Sequence, residues 1–163
     1  MNRFAQLCVV CVGLLTLAAS PVSAQRREAQ ARLQNASRID CTFDQIATGD
    51  WTDEGSEFAV DVSTFSLAFF DIDLESGTAE AEGRFGASFI VVRYAEGYLH
   101  FMQPLNSGPL YLTTVLAEPT EDGRFQAVHT RHEYTEVSLP GWTSRPEMYL
   151  GYCSIDQDQA SED

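Results

Sequence analysis

The chain has 163 residues, a formal net charge of −14 at neutral pH and 44 % hydrophobic residues. It contains no lysine: every basic side chain is an arginine, and Asp plus Glu outnumber them 24 to 10. Such a surface repels nucleic acid and anionic lipid, which argues against polyanion binding; it either attracts a basic protein or cations, or simply keeps the chain soluble.

The first segment reads MNRFAQLCVVCVGLLTLAASPVSAQ. One charge, Arg3, precedes an apolar run from about Leu7 to Ala19, and Val22-Ser23-Ala24 supplies small residues for a cut before Gln25. This is the layout of a secretory signal peptide over residues 1–24, with a run short for a membrane span. An exported protein, periplasmic or extracellular and without a membrane span after cleavage, is the expectation. Residues 25–38, QRREAQARLQNASR, have good helix formers but little apolar surface beyond Leu33. A short helix with no face to bury is marginal alone, so the segment reads as a mobile basic leader.

From residue 39 to 155 the hydrophobic period is two, as in strands. Ile39, Cys41 and Phe43 alternate with Asp40, Thr42 and Asp44. Phe58, Val60 and Val62 follow, then Phe70, Ile72 and Leu74, then Ala79 and Ala81 across a Glu75-Ser76-Gly77-Thr78 turn. SFIVVRY, YLHFM, PLYLTTVLA, FQAVHTRHEY and EMYLGYCSI continue the series, with Gly, Pro, Asp and Asn at the breaks. Strands at this spacing predict an all-β domain: one small antiparallel barrel or sandwich of about eight strands. The last residues, 156–163, form an acidic tail expected to be disordered.

Cleavage before Gln25 leaves two cysteines, Cys41 and Cys153, near the two ends of the domain. In an oxidising compartment such a pair is read as one disulfide. Closing a loop of about a hundred residues stabilises by roughly 4–5 kcal/mol. Joining the first strand to the last also favours a closed barrel over an open sandwich.

His129 and His132, in FQAVHTRHEY, are the sharpest chemical signal. Residues three apart on a strand point to opposite sides, so without a bulge the two cannot share a metal. His129 shares a face with Phe125, Ala127, Arg131 and Glu133; His132 shares one with Val128 and Tyr134. Which face is inward is left open. An inward His129 beside Arg131 would indicate a polar pocket. The acidic hairpin holding Asp71, Asp73, Glu75 and Glu82 mimics calcium-loop spacing, but its glycine comes one place late and its flanks alternate as strands. No G-x-S-x-G, phosphate loop or dinucleotide fingerprint occurs, and neither a cofactor nor a metal is expected.

Gly49-Asp50-Trp51 is similar to the G-x-W of lipocalins. That resemblance implies an eight-stranded barrel for a small apolar ligand, with Trp51 at its base and a late basic residue, Arg145, across it. Ser107-Gly108-Pro109-Leu110-Tyr111 resembles the S-G-x-x-Y of periplasmic C-type lysozyme inhibitors. That one implies a disulfide-closed barrel presenting its serine loop to a basic partner. Each resemblance rests on three fixed residues.

The function expected from these features is a non-enzymatic binding module. Trp51, His129 and Arg131 are the candidate residues for a small apolar ligand; Ser107, Gly108 and Tyr111 are the candidates for a basic protein partner. A hydrolase using His129 or the acidic hairpin is the third reading.

Overall fold

The computed structural model describes residues 21–83, 86–106, 108–133 and 145–155. Among them, one helix precedes eight strands: α1 Pro21–Gln34, β1 Arg38–Thr52, β2 Gly55–Asp73, β3 Thr78–Gly83, β4 Gly86–Ala95, β5 Tyr98–Pro104, β6 Leu110–Pro119, β7 Phe125–His132 and β8 Glu147–Ile155. Each strand pairs antiparallel with the next, and β8 returns to β1, closing the barrel. From β1 to β7 the strands follow one another through connections of two to five residues, which favour antiparallel neighbours. Glu96 and Gly97 both have positive φ, 49° and 94°, and make the two-residue β4–β5 turn whose twist suits a hairpin. In the acidic hairpin, the Asp73 carboxylate accepts the backbone N–H groups of Glu75 and Ser76, so this acid shapes the β2–β3 turn.

The alternation decides what is inside. Ile39, Cys41 and Phe43 of β1, Phe69 of β2, Leu99 and Phe101 of β5, Val115 of β6 and Phe125 of β7 are buried. The Phe69 and Phe101 rings stack with centroids 3.9 Å apart. The predicted Cys41–Cys153 disulfide is present and joins directly opposed residues of β1 and β8. Next to it, β1 bulges between Phe43 and Gln45. Gly151 faces this bulge so closely that a Cβ there would lie 2.1 Å from the Thr42 carbonyl oxygen. No other residue fits that approach without moving backbone.

One expectation is corrected. Residues 25–38 are not a leader without a docking face: most of them belong to α1, which places Ala29 and Leu33 in the core, with Ala36 buried just after it. The helix lies across one barrel end. Arg26 reaches Glu118 at 3.5 Å, Gln30 lies against Gly97, and the Arg32 guanidinium sits 4.9 Å over the Phe125 ring. An open barrel end is a small socket, and two apolar side chains one helical turn apart suffice to fill it. A cut before Gln25 keeps both in the mature chain. Residues 1–20 and the tail 156–163 lie outside the described residues.

Candidate functional site

The barrel end opposite α1 is polar and aromatic. β7 turns its Phe125, Ala127 and His129 face inward, which answers the question the sequence leaves open. Cross-strand register then sets His129 beside Thr113 of β6 and Tyr149 of β8, and Arg131 beside Tyr111 and Glu147. His132 points outward, is exposed, and bonds Thr130 at 3.2 Å. The two histidines therefore occupy opposite sides of one strand. Among the described residues, no three His, Cys, Asp or Glu side chains converge to hold a metal ion.

His129 is 3 % exposed. Its Nε2 accepts a hydrogen bond from Arg131 Nε at 3.3 Å, so its proton sits on Nδ1 and is donated to Thr113 Oγ1 at 2.8 Å. The rings of Phe43, Phe65 and Tyr149 surround it with centroids 5.7, 5.1 and 5.7 Å away. Burial, and then the adjacent Arg131 charge, push its pKa down from 6.5 to about 3. It is a neutral imidazole with both nitrogens engaged, which makes it a poor general base.

The Arg131 guanidinium lies over Phe65 at 4.4 Å, Tyr149 at 5.2 Å and Tyr111 at 5.4 Å. It ion-pairs with Glu147 at 3.4 Å, and both side chains are mostly buried. Tyr149 donates its hydroxyl to the same carboxylate oxygen, and Tyr111 donates to Glu133 at 2.7 Å. Burial raises the Tyr111 pKa to about 12, aided by the bond to Glu133. Burial likewise raises Tyr149 and Glu147. Both phenols stay protonated and act as donors. The arrangement holds a cation between aromatic faces and carboxylates; it offers no activated nucleophile.

Above this cluster a cleft of about 440 Å³ opens at the rim. Trp51 and Pro146 form an apolar wall, Arg131, Glu133 and Glu147 the polar floor, and Thr130 and His132 the outer lip. Trp51 is 61 % exposed, on the outward face of β1. It is not buried at a barrel base as the lipocalin resemblance implies. Arg145 ion-pairs with its neighbour Asp50 at 3.0 Å. Trp51 and Arg131 thus meet at one cleft, with His129 beneath Arg131 as its support.

The second candidate set does not converge in the same way. Ser107 lies outside the described residues. Gly108 is exposed with φ 115°, in a turn held by Leu105 N–H to Pro109 O and Gly108 N–H to Leu105 O, both 2.9 Å. Tyr111 turns toward the barrel mouth and joins the Arg131 cluster instead of standing out from the loop. Sequence reasoning omitted Tyr149, Glu147, Phe65 and Thr113. A signal for two of them was available: once Cys153 is inward, period two puts Gly151, Tyr149 and Glu147 on the same face.

Compared with known protein families, with characterised proteins and with solved structures, the chain finds no match.

Proposed function

We propose that this protein is an exported, soluble, non-enzymatic binding module whose ligand seats in the rim cleft between Trp51 and the Arg131–Glu147 pair. One observation carries the reading. The barrel around His129 is filled by aromatic rings, whereas the rim cleft combines an open apolar wall with an ordered polar floor. Binding sites typically join those two features. The ligand is a small, largely apolar molecule with a polar end: the body lies on Trp51 and Pro146, and the end reaches the floor. The packed interior moves the seat from inside the barrel to its mouth. Buried Arg131 and Glu147 support the reading because mutual pairing fixes them before a ligand arrives, so little ordering remains to be done on binding.

The test is a titration with the neutral fluorescent probe N-phenyl-1-naphthylamine, alongside native mass spectrometry of protein purified without denaturation. Saturable one-to-one binding that Trp51→Ala weakens by about tenfold is the expected outcome, the loss of one aromatic anchor being worth roughly 1–2 kcal/mol. Binding that Trp51→Ala leaves unchanged, or no saturable binding and no retained ligand, overturns the rim site.

A basic protein partner is the second reading. The net charge of −14 and the hydrogen-bonded turn around Gly108 favour it. A titration against a C-type lysozyme at low and moderate salt tests it, and absence of binding at both salts removes it.

A further inference from the structure

The two strands that start the barrel are much longer than the rest. β2 runs for 19 residues, yet β3 pairs only with Ala68, Phe69, Phe70 and Asp73. From Gly55 to Leu67, β2 pairs with β1 along one edge, and among the described residues no strand covers the other. At about 3.3 Å per residue that is an open edge of roughly 40 Å. Exposed edges are normally blunted by proline, charged side chains, bulges or shortness. This one is long and has no proline, and its charged side chains are all acidic, Glu57 and Asp61, which deter an acidic guest and admit a basic one.

Its side chains have an order. Phe58, Val60 and Val62 point outward and are 82 %, 73 % and 72 % exposed. They continue onto the neighbouring strands through Met148 and Leu150 of β8, also exposed. The opposite face of the same stretch carries Glu57 and Asp61, both exposed.

We propose that the open edge of β2, Gly55–Leu67, is a strand-addition site for an extended segment of a partner protein in which apolar and basic side chains alternate. Edge and guest are complementary at three levels. Backbone N–H and C=O groups facing away from β1 bond an incoming backbone. Apolar side chains of the guest extend the Phe58–Val60–Val62 row, and its arginines or lysines, one residue out of phase, meet Glu57 and Asp61. The net charge of −14 steers such a segment toward the edge. A second copy of this chain is a worse guest, because antiparallel self-pairing sets acids of one copy against acids of the other. A lipid surface is worse again: acyl chains cannot satisfy the open backbone groups. This site adjoins the rim cleft, since Trp51 opposes Ser56 at the start of the edge, but Phe58, Val60, Val62, Glu57 and Asp61 do not line that cleft.

The experiment uses a short peptide of alternating valine and lysine as the probe, with a valine–glutamate peptide as control, read by fluorescence anisotropy on the intact protein. Saturable binding of the basic peptide alone is expected. Glu57→Lys with Asp61→Lys weakens it by about tenfold or more and lets the acidic peptide bind. Both positions are exposed, and an unchanged melting temperature checks that the fold is intact. Methylating alternate amide nitrogens of the peptide abolishes binding in one register and spares it in the other, because only one edge of the guest strand bonds β2. Equal tolerance of both registers reduces the contact to charge adsorption and overturns the proposal. So does absence of binding, self-association of the protein that the double variant changes, or a preference for neutral-lipid vesicles over the peptide. His132→Ala, at the lip of the rim cleft on β7 and away from β2, leaves the peptide's affinity unchanged, so failure of the cleft and failure of the edge are distinguishable.

Discussion

His129 shows how burial turns a titratable side chain into a fixed strut. Its Nε2 takes the Arg131 hydrogen bond and its Nδ1 holds Thr113, so neither nitrogen has room for a second proton without breaking a bond. An unfolded histidine takes up its proton near pH 6.5, while this one resists until about 3. Between those values the unfolded chain binds the extra proton, so stability rises with pH across the window and is lost as pH falls through it. Glu147 works the other way: its raised pKa means that the folded form accepts a proton first, which favours folding on acidification. His129→Gln keeps a donor and an acceptor but removes the titration. Chemical denaturation of both proteins across the window is therefore expected to show the wild-type slope reduced in the variant by up to about 1.4 kcal/mol per pH unit. An unchanged slope would mean that His129 is protonated in the fold. At this scale the sequence was informative about adjacency and silent about direction. Alternation alone puts His129 and Arg131 on one face. Only the cross-strand register brings Thr113, Tyr149 and Glu147 to them, and register depends on closure of the whole barrel.

Among the elements, α1 and β2 are where period counting fails, for opposite reasons. Among the described side chains of α1, Ala29 and Leu33 reach the core, too few to mark an apolar face in a helix read in isolation. What makes the helix stable is the barrel end it covers, a feature formed by residues far along the chain. Leu33 is fully buried there, and Leu33→Ala is expected to destabilise the fold by about 2–5 kcal/mol. Truncating an exposed neighbour, Arg27→Ala, is expected to change stability by less than about 0.5 kcal/mol. Paired urea titrations check both. Equal effects would mean that the helix rests on the barrel without filling it. In β2 the alternation is strong but its phase changes. Phe65, Leu67 and Phe69 face the barrel, whereas Phe58, Val60 and Val62, on the other parity, face solvent. The sequence shows two apolar runs at 58–62 and 70–74. The first run and most of the second, up to Asp73, join in one strand of 19 residues, and its first half, beyond β3, is set by pairing with β1. Where apolar alternation is not spent on the core, it is available for a partner.

For the molecule as a whole, fold class was the most legible feature, because each of its causes is local. Short connections from β1 to β7 favour antiparallel neighbours, and a cysteine near each end of the series supplies the clasp. The eight-stranded barrel with the Cys41–Cys153 bond follows from those two facts. The clasp also gives the clearest test at this scale. Cys41 and Cys153 are opposed residues on β1 and β8, the seam where a linear series of hairpins becomes a ring, and they lie 112 residues apart in sequence. The β1–β8 ladder is also held by backbone pairing from Ile39↔Ile155 to Thr48↔Glu147, so native contacts are expected to change little when the bond is absent. The unfolded chain changes more, since a loop of that length regains its freedom. On the chain-entropy argument, Cys41→Ser with Cys153→Ser is expected to lower stability by up to about 4–5 kcal/mol. That corresponds to a fall in melting temperature of roughly 10–15 °C for a domain of this size. The rim cleft and the Glu57–Val62 stretch of the β2 edge lie away from the bond, which adjoins only the Leu67 end, so probe and peptide affinities are expected to stay as they are below the new transition. Calorimetry of the double variant beside the oxidised protein, with both ligands titrated at low temperature, separates the possibilities. A large fall in melting temperature with binding intact identifies the disulfide as a constraint on the unfolded chain. A loss of both binding activities in the still-folded variant would show instead that the bond holds the seam in register.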